Sequence, residues 1–577
     1  MFRKAWGRHE IQYEPEQKCP PLLAVSSAFQ IFVPNTISLV MLVALVVRAS
    51  DESEAYLSWA TFTVLAVTGA SMILQSLRLQ HFGSGRLIVA NFNVPFLAVS
   101  ALALHVGGPG LLASLLVVST LIQSVLTLRL ASLRRIFTQT VSGVVIMLVA
   151  LSALPFIISQ AVIPPEGDSL MLFLVPGIAA LVVGVLISLQ DAPVWRIWIL
   201  PITVTVGLIA AVPLGFYDAD IVDTPWLRLP NIGWPGLGLI FSTEFWALLP
   251  VFVFVNLTAF MKAVGDLSVI YRASYRNQPA IDHRAVQGGL NVYGVGTLLS
   301  GVLGTLPVAA PWSATVVYMR FTGTAARRVG VYLGMLTILV GFFSKFLAIL
   351  IAIPGPVVSA MYVIIFGMLF VEGAKTVFAD KVDQKKATTA GVSMVLGMSA
   401  VTFSGLFEGI SVHLVGNAIV IGGMAAIAMT VVTELSGFRA RKIRVELSQS
   451  SLSAVDDLLC QYADRYSWTE EGKNRLRLVG EEVMLSLLKE EGNLPTDQKR
   501  KLVATIRPDS GVAELEIMVA SGDAIKGNIE NHMAYLGQEQ ALEEEQELSV
   551  RVLRHYASSV HHRKYYGIDI VSCRVER

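Results

Sequence analysis

The sequence predicts an all-α polytopic membrane protein of about fourteen transmembrane segments in a 7+7 inverted repeat, followed by a C-terminal cytosolic α+β domain. Three observations predict it. Between Pro21 and Glu434 the chain is almost continuously apolar, and the charges that interrupt it sit mostly in short loops. Two of the apolar segments are broken by proline or asparagine, and each is the third of its half. After Lys442 the composition turns dense in charge, with apolar residues at helical and strand spacing. Overall the chain is 54% hydrophobic and 15% charged, with a mean hydropathy of +0.61. A soluble chain could not keep that much apolar surface out of water. Helices of roughly 20 residues, each closing its own backbone hydrogen bonds, can place it in a bilayer.

Length, charge and cysteines bound the remainder. The 577 residues suffice for a large bundle and one soluble domain, and a net charge of +1 names no partner. Cys19, Cys460 and Cys573 are isolated, without metal-ligand or CxxC spacing, and are read as reduced bystanders. Residues 1–20 form a basic, polar cytosolic segment without the apolar core and cleavage site of a signal peptide.

Apolar windows place the segments at 22–47, 55–76, 88–106, 109–129, 136–160, 169–189, 195–216, 241–264, 285–303, 311–321, 329–352, 354–374, 386–406 and 411–433. The transmembrane domain is taken as 21–435, with repeats at 21–216 and 241–435. The third segment carries Asn91, Asn93 and Pro95, and the short tenth is preceded by Pro307 and Pro311. Such breaks are tolerated at membrane depth only where the freed backbone lines a cavity or is buried in protein. Arg and Lys gather in alternate loops, from Arg78–Arg86 to Lys375–Lys386. The opposite loops carry Asp51, Glu52, Glu54, Glu166, Asp168, Asp218, Asp220 and Asp223. The positive-inside rule then puts both termini in the cytoplasm of a multi-pass cell-membrane protein. Paired broken helices favour a carrier, in which half-helix N-termini face a solute at the midplane, over a channel.

The stretch from Gly301 to Lys375 resembles the nucleobase–ascorbate transporter family, which includes the uracil and xanthine permeases. The resemblance runs through Gly304-Thr305-Leu306-Pro307, Arg327-Arg328-Val329-Gly330, Gly341 to Phe346, Ile353-Pro354-Gly355-Pro356-Val357 and Phe366-Gly367. Val264-Gly265-Asp266 looks like the family's eighth helix, and Val25–Leu39 and Ala90–Phe96 are similar to its first and third. The resemblance implies core and gate domains that move against each other, and a homodimer. It also exposes departures. The family's substrate glutamate on helix eight aligns with Lys262, and its second signature aligns with Ser313-Ala314 and Val316. Ser26 and Ser27 stand where the family often has Gln-His.

Lys262 lies in the apolar run Val251–Ala263, so it needs a partner or water, and Asp266 follows on the same helical face. Two readings stand. Either the two form an internal ion pair that binds nothing, or Lys262 replaces the carboxylate as a donor-only substrate contact favouring an anion or an acceptor-rich ring. Asp266 is the remaining carboxylate for ion coupling. Trp312, Ser313 and Ala314 open a short helix whose N–H groups face the expected cavity, Trp312 either stacking on a solute or packing. Asn91, Phe92 and Asn93 would line the opposite wall. Glu244, Glu372 and Glu434 sit at span ends and are read as facing water, and Glu408 and His413 flank an external turn. No cofactor, metal cluster, phosphate loop or nucleic-acid surface is expected.

Residues 443–577 combine β-like runs at Ile443–Leu447, Val512–Val519 and Ile568–Val575 with helices near 453–465, 470–490 and 543–560, an α+β domain. Its order of elements resembles the histidine-kinase-like ATPase fold of anti-sigma-factor kinases. Glu482 falls at that family's catalytic glutamate, but Ser486 replaces the Mg-binding asparagine, and the glycine box is missing near Ala520–Gly527. The domain is read as a degenerate regulatory or dimerisation module. The sequence as a whole is read as a secondary active transporter of a nucleobase-like or small anionic solute, probed against two rivals: a transport-silent receptor signalling through the tail, and a sulfate-permease-like anion carrier.

Overall fold

A computed structural model describes residues 11–127, 139–152, 169–190, 193–217, 241–276, 282–378, 384–402, 418–436, 441–491, 500–509, 512–520, 559–565 and 568–576, with a few isolated positions between them. The sequence readings at Glu166, Asp168, Asp218, Asp220, Asp223, Glu408, His413 and residues 521–527 lie outside the described residues. The chain divides into two compact units, one within residues 1–428 and one built mainly from Met429–Arg577.

The first unit is helical. Pro21 opens α1 (Pro21–Ala49), where a missing N–H costs nothing. Ser53 caps α2 (Glu54–Leu77) by accepting from the Tyr56 N–H at 3.2 Å. The third segment begins as strand β1 (Ala90–Asn91) and a 3-10 turn (Val94–Phe96), then becomes α3 (Leu97–Thr127). α3 is broken at Gly107–Gly108, where Gly108 takes φ 67°, a left-handed turn that favours glycine and separates the third segment from the fourth. There follow α4 (Gln139–Ser152), α5 (Leu170–Ser188), α6 (Pro193–Ala211), α7 (Thr243–Ala273) and α8 (His283–Val302). Strand β2 (Ala310–Pro311) precedes α9 (Thr315–Thr322). Then come α10 (Arg327–Val340), α11 (Ser344–Ile351), α12 (Gly355–Val377), α13 (Gln384–Thr402) and α14 (Ala418–Ser436).

Among the described residues six helices are long and apolar enough to cross a membrane, and the bent pair α10–α11 makes a seventh. Two segments differ from the sequence reading. The eighth runs on to Ala273 rather than ending at 264, because the hydropathy window closes at the polar residues while the backbone does not. Arg272 in its last turn favours the helix C-terminus. The eleventh is not one rod: α10 and α11 meet at 83°, and Phe342 in the break packs edge-on against Phe62 at 5.3 Å.

Two close crossings knit the halves together. A Cβ on Gly69 of α2 would lie 2.6 Å from the Gly334 carbonyl of α10, and one on Gly334 would lie 2.5 Å from the Gly69 carbonyl. α4 and α12 repeat the device, with 2.6 Å from Gly143 to the Gly373 carbonyl and 2.8 Å in return. In a membrane, where apolar burial between helices gains little over lipid, such backbone approach supplies the packing. Residues 11–19 buckle two loops of this unit. Gln12 N–H donates to Gly323 at 2.7 Å, Ala325 N–H to Tyr13 at 2.8 Å, and the Arg276 guanidinium to the Ile11 carbonyl at 2.6 Å. Beneath them buried Arg86 stacks 3.7 Å from the Tyr271 ring and donates to the Tyr275 hydroxyl at 2.8 Å. Burial pushes the Tyr275 phenol up to about 12, so it stays protonated and donates to Glu16 at 3.0 Å.

The second unit carries a five-stranded antiparallel sheet of order β3-β4-β5-β7-β6, made of β3 (Arg441–Glu446), β4 (Lys501–Asp509), β5 (Val512–Ala520), β6 (Ser559–Tyr565) and β7 (Ile568–Glu576). Alternate residues Leu502, Ala504 and Ile506 on β4 and Leu515, Ile517 and Val519 on β5 share one core with α15 (Ser451–Arg465) and α16 (Glu470–Glu491). The sequence reading missed β4 and β6. The helix expected at 543–560 is corrected at its end: residues 559–560 begin β6, pairing with β7. Residues 543–555 lie outside the described residues. Cys19 and Cys573 are buried free thiols, and burial raises the latter to about 12.

Gly334→Ala should cost about 1–3 kcal/mol, since backbone on the facing helix has nowhere to move, and thermal unfolding in detergent should show it. Gly367→Ala, where a Cβ meets nothing within 4 Å, should leave the melting temperature unchanged or raised.

Candidate functional site

The two interrupted segments meet. β1 and β2 pair antiparallel, Ala90 opposite Pro311 and Asn91 opposite Ala310. The pairing continues on both sides: Trp312 N–H donates to the Val89 carbonyl at 2.9 Å and Asn93 N–H to the Pro307 carbonyl at 3.1 Å. Val89 N–H donates to the Thr315 hydroxyl at 3.1 Å. Each segment thus supplies the partners that its neighbour lost by leaving the helix. Ala309 holds φ 71° to make the approach, and Gly296 of α8 leaves room for it, since a Cβ there would lie 2.3 Å from the Ala309 Cβ.

Asn91, Phe92 and Asn93 are all buried. Asn91 uses both ends of its amide inside the protein, donating to Asn35 Oδ1 at 2.9 Å and accepting from the Phe92 N–H at 2.6 Å. Asn93 donates to the Tyr293 hydroxyl at 2.9 Å. In this conformation the three residues position the bridge. Asn35 and Tyr293 are the partners that the sequence reading did not single out. Asn35 had a signal, an amide following Pro34 in an otherwise apolar run. Ser26 is exposed and donates to the Leu23 carbonyl at 3.0 Å, whereas Ser27 is buried.

On the other strand, Trp312, Ser313 and Ala314 are half-buried. Trp312 meets Tyr318 edge-on at 6.0 Å. The Thr315 and Val316 N–H groups turn back onto the Trp312 and Ser313 carbonyls at 2.9 and 3.1 Å. No hydrogen bond among the described residues uses the N–H of Ser313 or Ala314. These two are donors at the start of a helix, where partial positive charge collects.

α7 packs against both the 3-10 turn and β2, with Phe252 at 5.9 Å from Phe96. Its Lys262 Nζ lies 2.7 Å from Asp266 Oδ2, and the side chains are 24% and 12% exposed. The ion pair expected from the sequence is therefore formed. From Val255 to Tyr271 every residue of α7 is buried except Lys262, Gly265 and Val269. At this i, i+3, i+7 spacing those three make one accessible stripe on a buried helix. The ammonium has three protons, of which Asp266 takes one, leaving donors for a solute that offers acceptors. The sequence reading places Glu372 of α12 in water at a span end, and it is exposed.

Apolar helices of crossing length, joined at two interrupted segments that pair with each other, define a multi-pass membrane transport protein. The chain belongs to the permease family designated Xan_ur_permease, whose profile matches residues 24–406. It is similar to the xanthine permease XanQ of Escherichia coli, 25% identical over 73% of this chain and 92% of that one. The uric acid permease PucK of Bacillus subtilis is 24% identical over 63% of this chain and 85% of its own. A Clostridium perfringens protein named as a purine permease is 26% identical over 52% of this chain, and the match spans 64% of its length. These relatives are permeases, not enzymes. Two solved structures align: the transmembrane domain of the cyanobacterial bicarbonate transporter BicA, with 16% identity, a TM-score of 0.47 and coverage of 73% of this chain and 100% of that one; and the murine anion transporter Slc26a9, with 8% identity, a TM-score of 0.49 and coverage of 75% and 71%.

Removing one partner of the buried pair should be costly and removing both should not. Lys262→Met should lose about 3–5 kcal/mol of stability, because Asp266 is left uncompensated, and adding Asp266→Leu should restore most of it. Unfolding of the three proteins in detergent checks this.

Proposed function

We propose that the protein is a secondary active transporter that carries an acceptor-rich planar nucleobase, of the oxidised purine kind, across the cell membrane. The observation that supports this most is the bridge of Ala90–Asn91 with Ala310–Pro311, packed against the helix α7 that carries half-buried Lys262. Paired interrupted segments at a repeat interface are where secondary transporters hold their solutes. Membership of the permease family and the xanthine and uric acid permeases among its relatives favour a purine. The lysine narrows the choice. It donates and cannot accept, so it suits the carbonyl oxygens of a dioxo- or trioxopurine, neutral or anionic, better than a ring N–H. Ser313 and Ala314 N–H groups would add donors on the facing side. The reading includes fourteen spans, both termini in the cytoplasm, core and gate groups moving against each other, and a homodimer. The C-terminal sheet unit is read as a regulatory or dimerisation module.

Uptake of labelled xanthine and urate into proteoliposomes tests the proposal, with uracil, bicarbonate and sulfate alongside. Xanthine or urate should accumulate and the inorganic anions should not. The variant Lys262→Met with Asp266→Asn removes the ammonium without stranding a charge. It should weaken purine binding about 10–100-fold, the worth of one hydrogen bond from a charged donor. Unchanged affinity would take Lys262 out of the site. A folded protein that binds purine yet moves none would favour the receptor.

A further inference from the structure

The two walls of the candidate site end at the same short segment. α7 carries Lys262 and ends at Ala273, about 16 Å further along its axis at 1.5 Å per residue. α9 starts just after the Ser313 and Ala314 donors and ends at Gly323, which takes φ 68°. Residues 11–19 lie across both ends. Ile11, Pro15 and Cys19 are buried there, while Gln12, Glu16, Gln17 and Lys18 are exposed, so every fourth residue seats the segment.

Directly, the two helix ends are joined weakly. Ser274, just past α7, has one hydroxyl proton, and the Ile270 carbonyl at 2.7 Å takes it in preference to the Met319 thioether of α9 at 3.8 Å. The stronger link passes through Gln12. Arg276 donates from Nε to the Ile11 carbonyl at 2.6 Å and from Nη2 to the Gln12 carbonyl at 2.5 Å. The Gln12 N–H in turn donates to the Gly323 carbonyl at 2.7 Å. One residue thus accepts from the end of α7 and donates to the end of α9. Flanking bonds keep it in place. The Arg276 N–H donates to the Glu14 carboxylate at 3.3 Å and the Tyr275 hydroxyl to Glu16 at 3.0 Å. On the other side the Ala325 N–H donates to the Tyr13 carbonyl at 2.8 Å and the Arg327 N–H to the Pro15 carbonyl at 3.2 Å. A planar guanidinium fork suits two successive carbonyls, as a point charge does not.

We propose that Arg276 is a positioning residue for the solute site. Through Gln12 it ties the end of α7 to the end of α9, and so sets how far Lys262 stands from the Ser313 and Ala314 N–H groups. Its bearing on a solute rests on the transport reading above; the tie itself does not. Donors on two separate helices bind one rigid ring well only if their spacing is fixed beforehand, because a loose pair must be ordered at the moment of binding.

Two measurements on the full-length protein in detergent test it. The variants are Arg276→Ala, Gln12→Pro, which removes the N–H given to Gly323, and the two combined. Without solute, hydrogen–deuterium exchange at residues 310–322 should rise about tenfold in each single variant, the worth of one hydrogen bond, and stay at the wild-type rate in α12. The double variant should match either single one, because both cut the same tie. Effects that multiply mark two separate contacts and overturn the proposal. Exchange unchanged at 310–322, or raised equally in α12, overturns it as well. Xanthine affinity, read by equilibrium binding, should fall about tenfold in all three variants. Wild-type affinity in Arg276→Ala overturns the positioning role. If the wild type binds no xanthine while the exchange pattern holds, the transport reading fails and the tie stands.

Discussion

The whole first unit depends on one constraint: inside a bilayer no backbone N–H or C=O can go unpaired without a cost of several kcal/mol. Helices meet it alone. The two segments that leave the helix meet it only through each other, at Ala90–Asn91 and Ala310–Pro311. Proline fits this segment because Pro307 and Pro311 have no N–H that needs an acceptor, while the Pro307 carbonyl still accepts from the Asn93 N–H. The asparagines then hold the bridge to its surroundings, Asn91 to Asn35 and Asn93 to Tyr293. Breaking the helix also creates helix starts near the bridge, and with them the Ser313 and Ala314 donors.

The second constraint is charge. A lone lysine on α7 would have to be hydrated or expelled, and Asp266 four residues later lets it stay. Lys262 donates hydrogen bonds and cannot accept them, and the proposed preference for the oxygen edge of a ring rests on that property. Extension of α7 to Ala273 carries the pair into the helix interior. There the helical backbone keeps the two residues one turn apart on one face.

Much of this was legible in the sequence, and the reasons are local. Proline and asparagine within apolar runs mark 90–96 and 307–314, and the i, i+4 spacing of Lys262 and Asp266 makes an ion pair before any fold is known. Fourteen apolar windows find helices or half-helices, because hydropathy reports burial in lipid directly. What was not legible was anything set by a partner distant in sequence. Asn91 and Asn93 carry no mark of the Asn35 and Tyr293 to which they donate. The bend after α10 places Phe342 against Phe62, more than two hundred residues earlier. In the tail, β4 was hidden because its charged ends, Lys501 and Arg507, dilute the alternation of Leu502, Ala504 and Ile506.

The two glycine crossings each fasten a helix of the first half to a helix of the second. Gly69 with Gly334 fastens α2 to α10, and α1 packs on both. Gly143 with Gly373 fastens α4 to α12, and α5 and α13 pack around them. Backbone held to backbone at these distances leaves no room for a side chain at either crossing, so any larger residue there must push a helix aside. Lys262 and Asp266 sit outside both crossings, on α7, which packs with α3 and the bridge. The pair is held by its own i, i+4 spacing and not by a glycine contact, so removing both charges together leaves the two crossings intact.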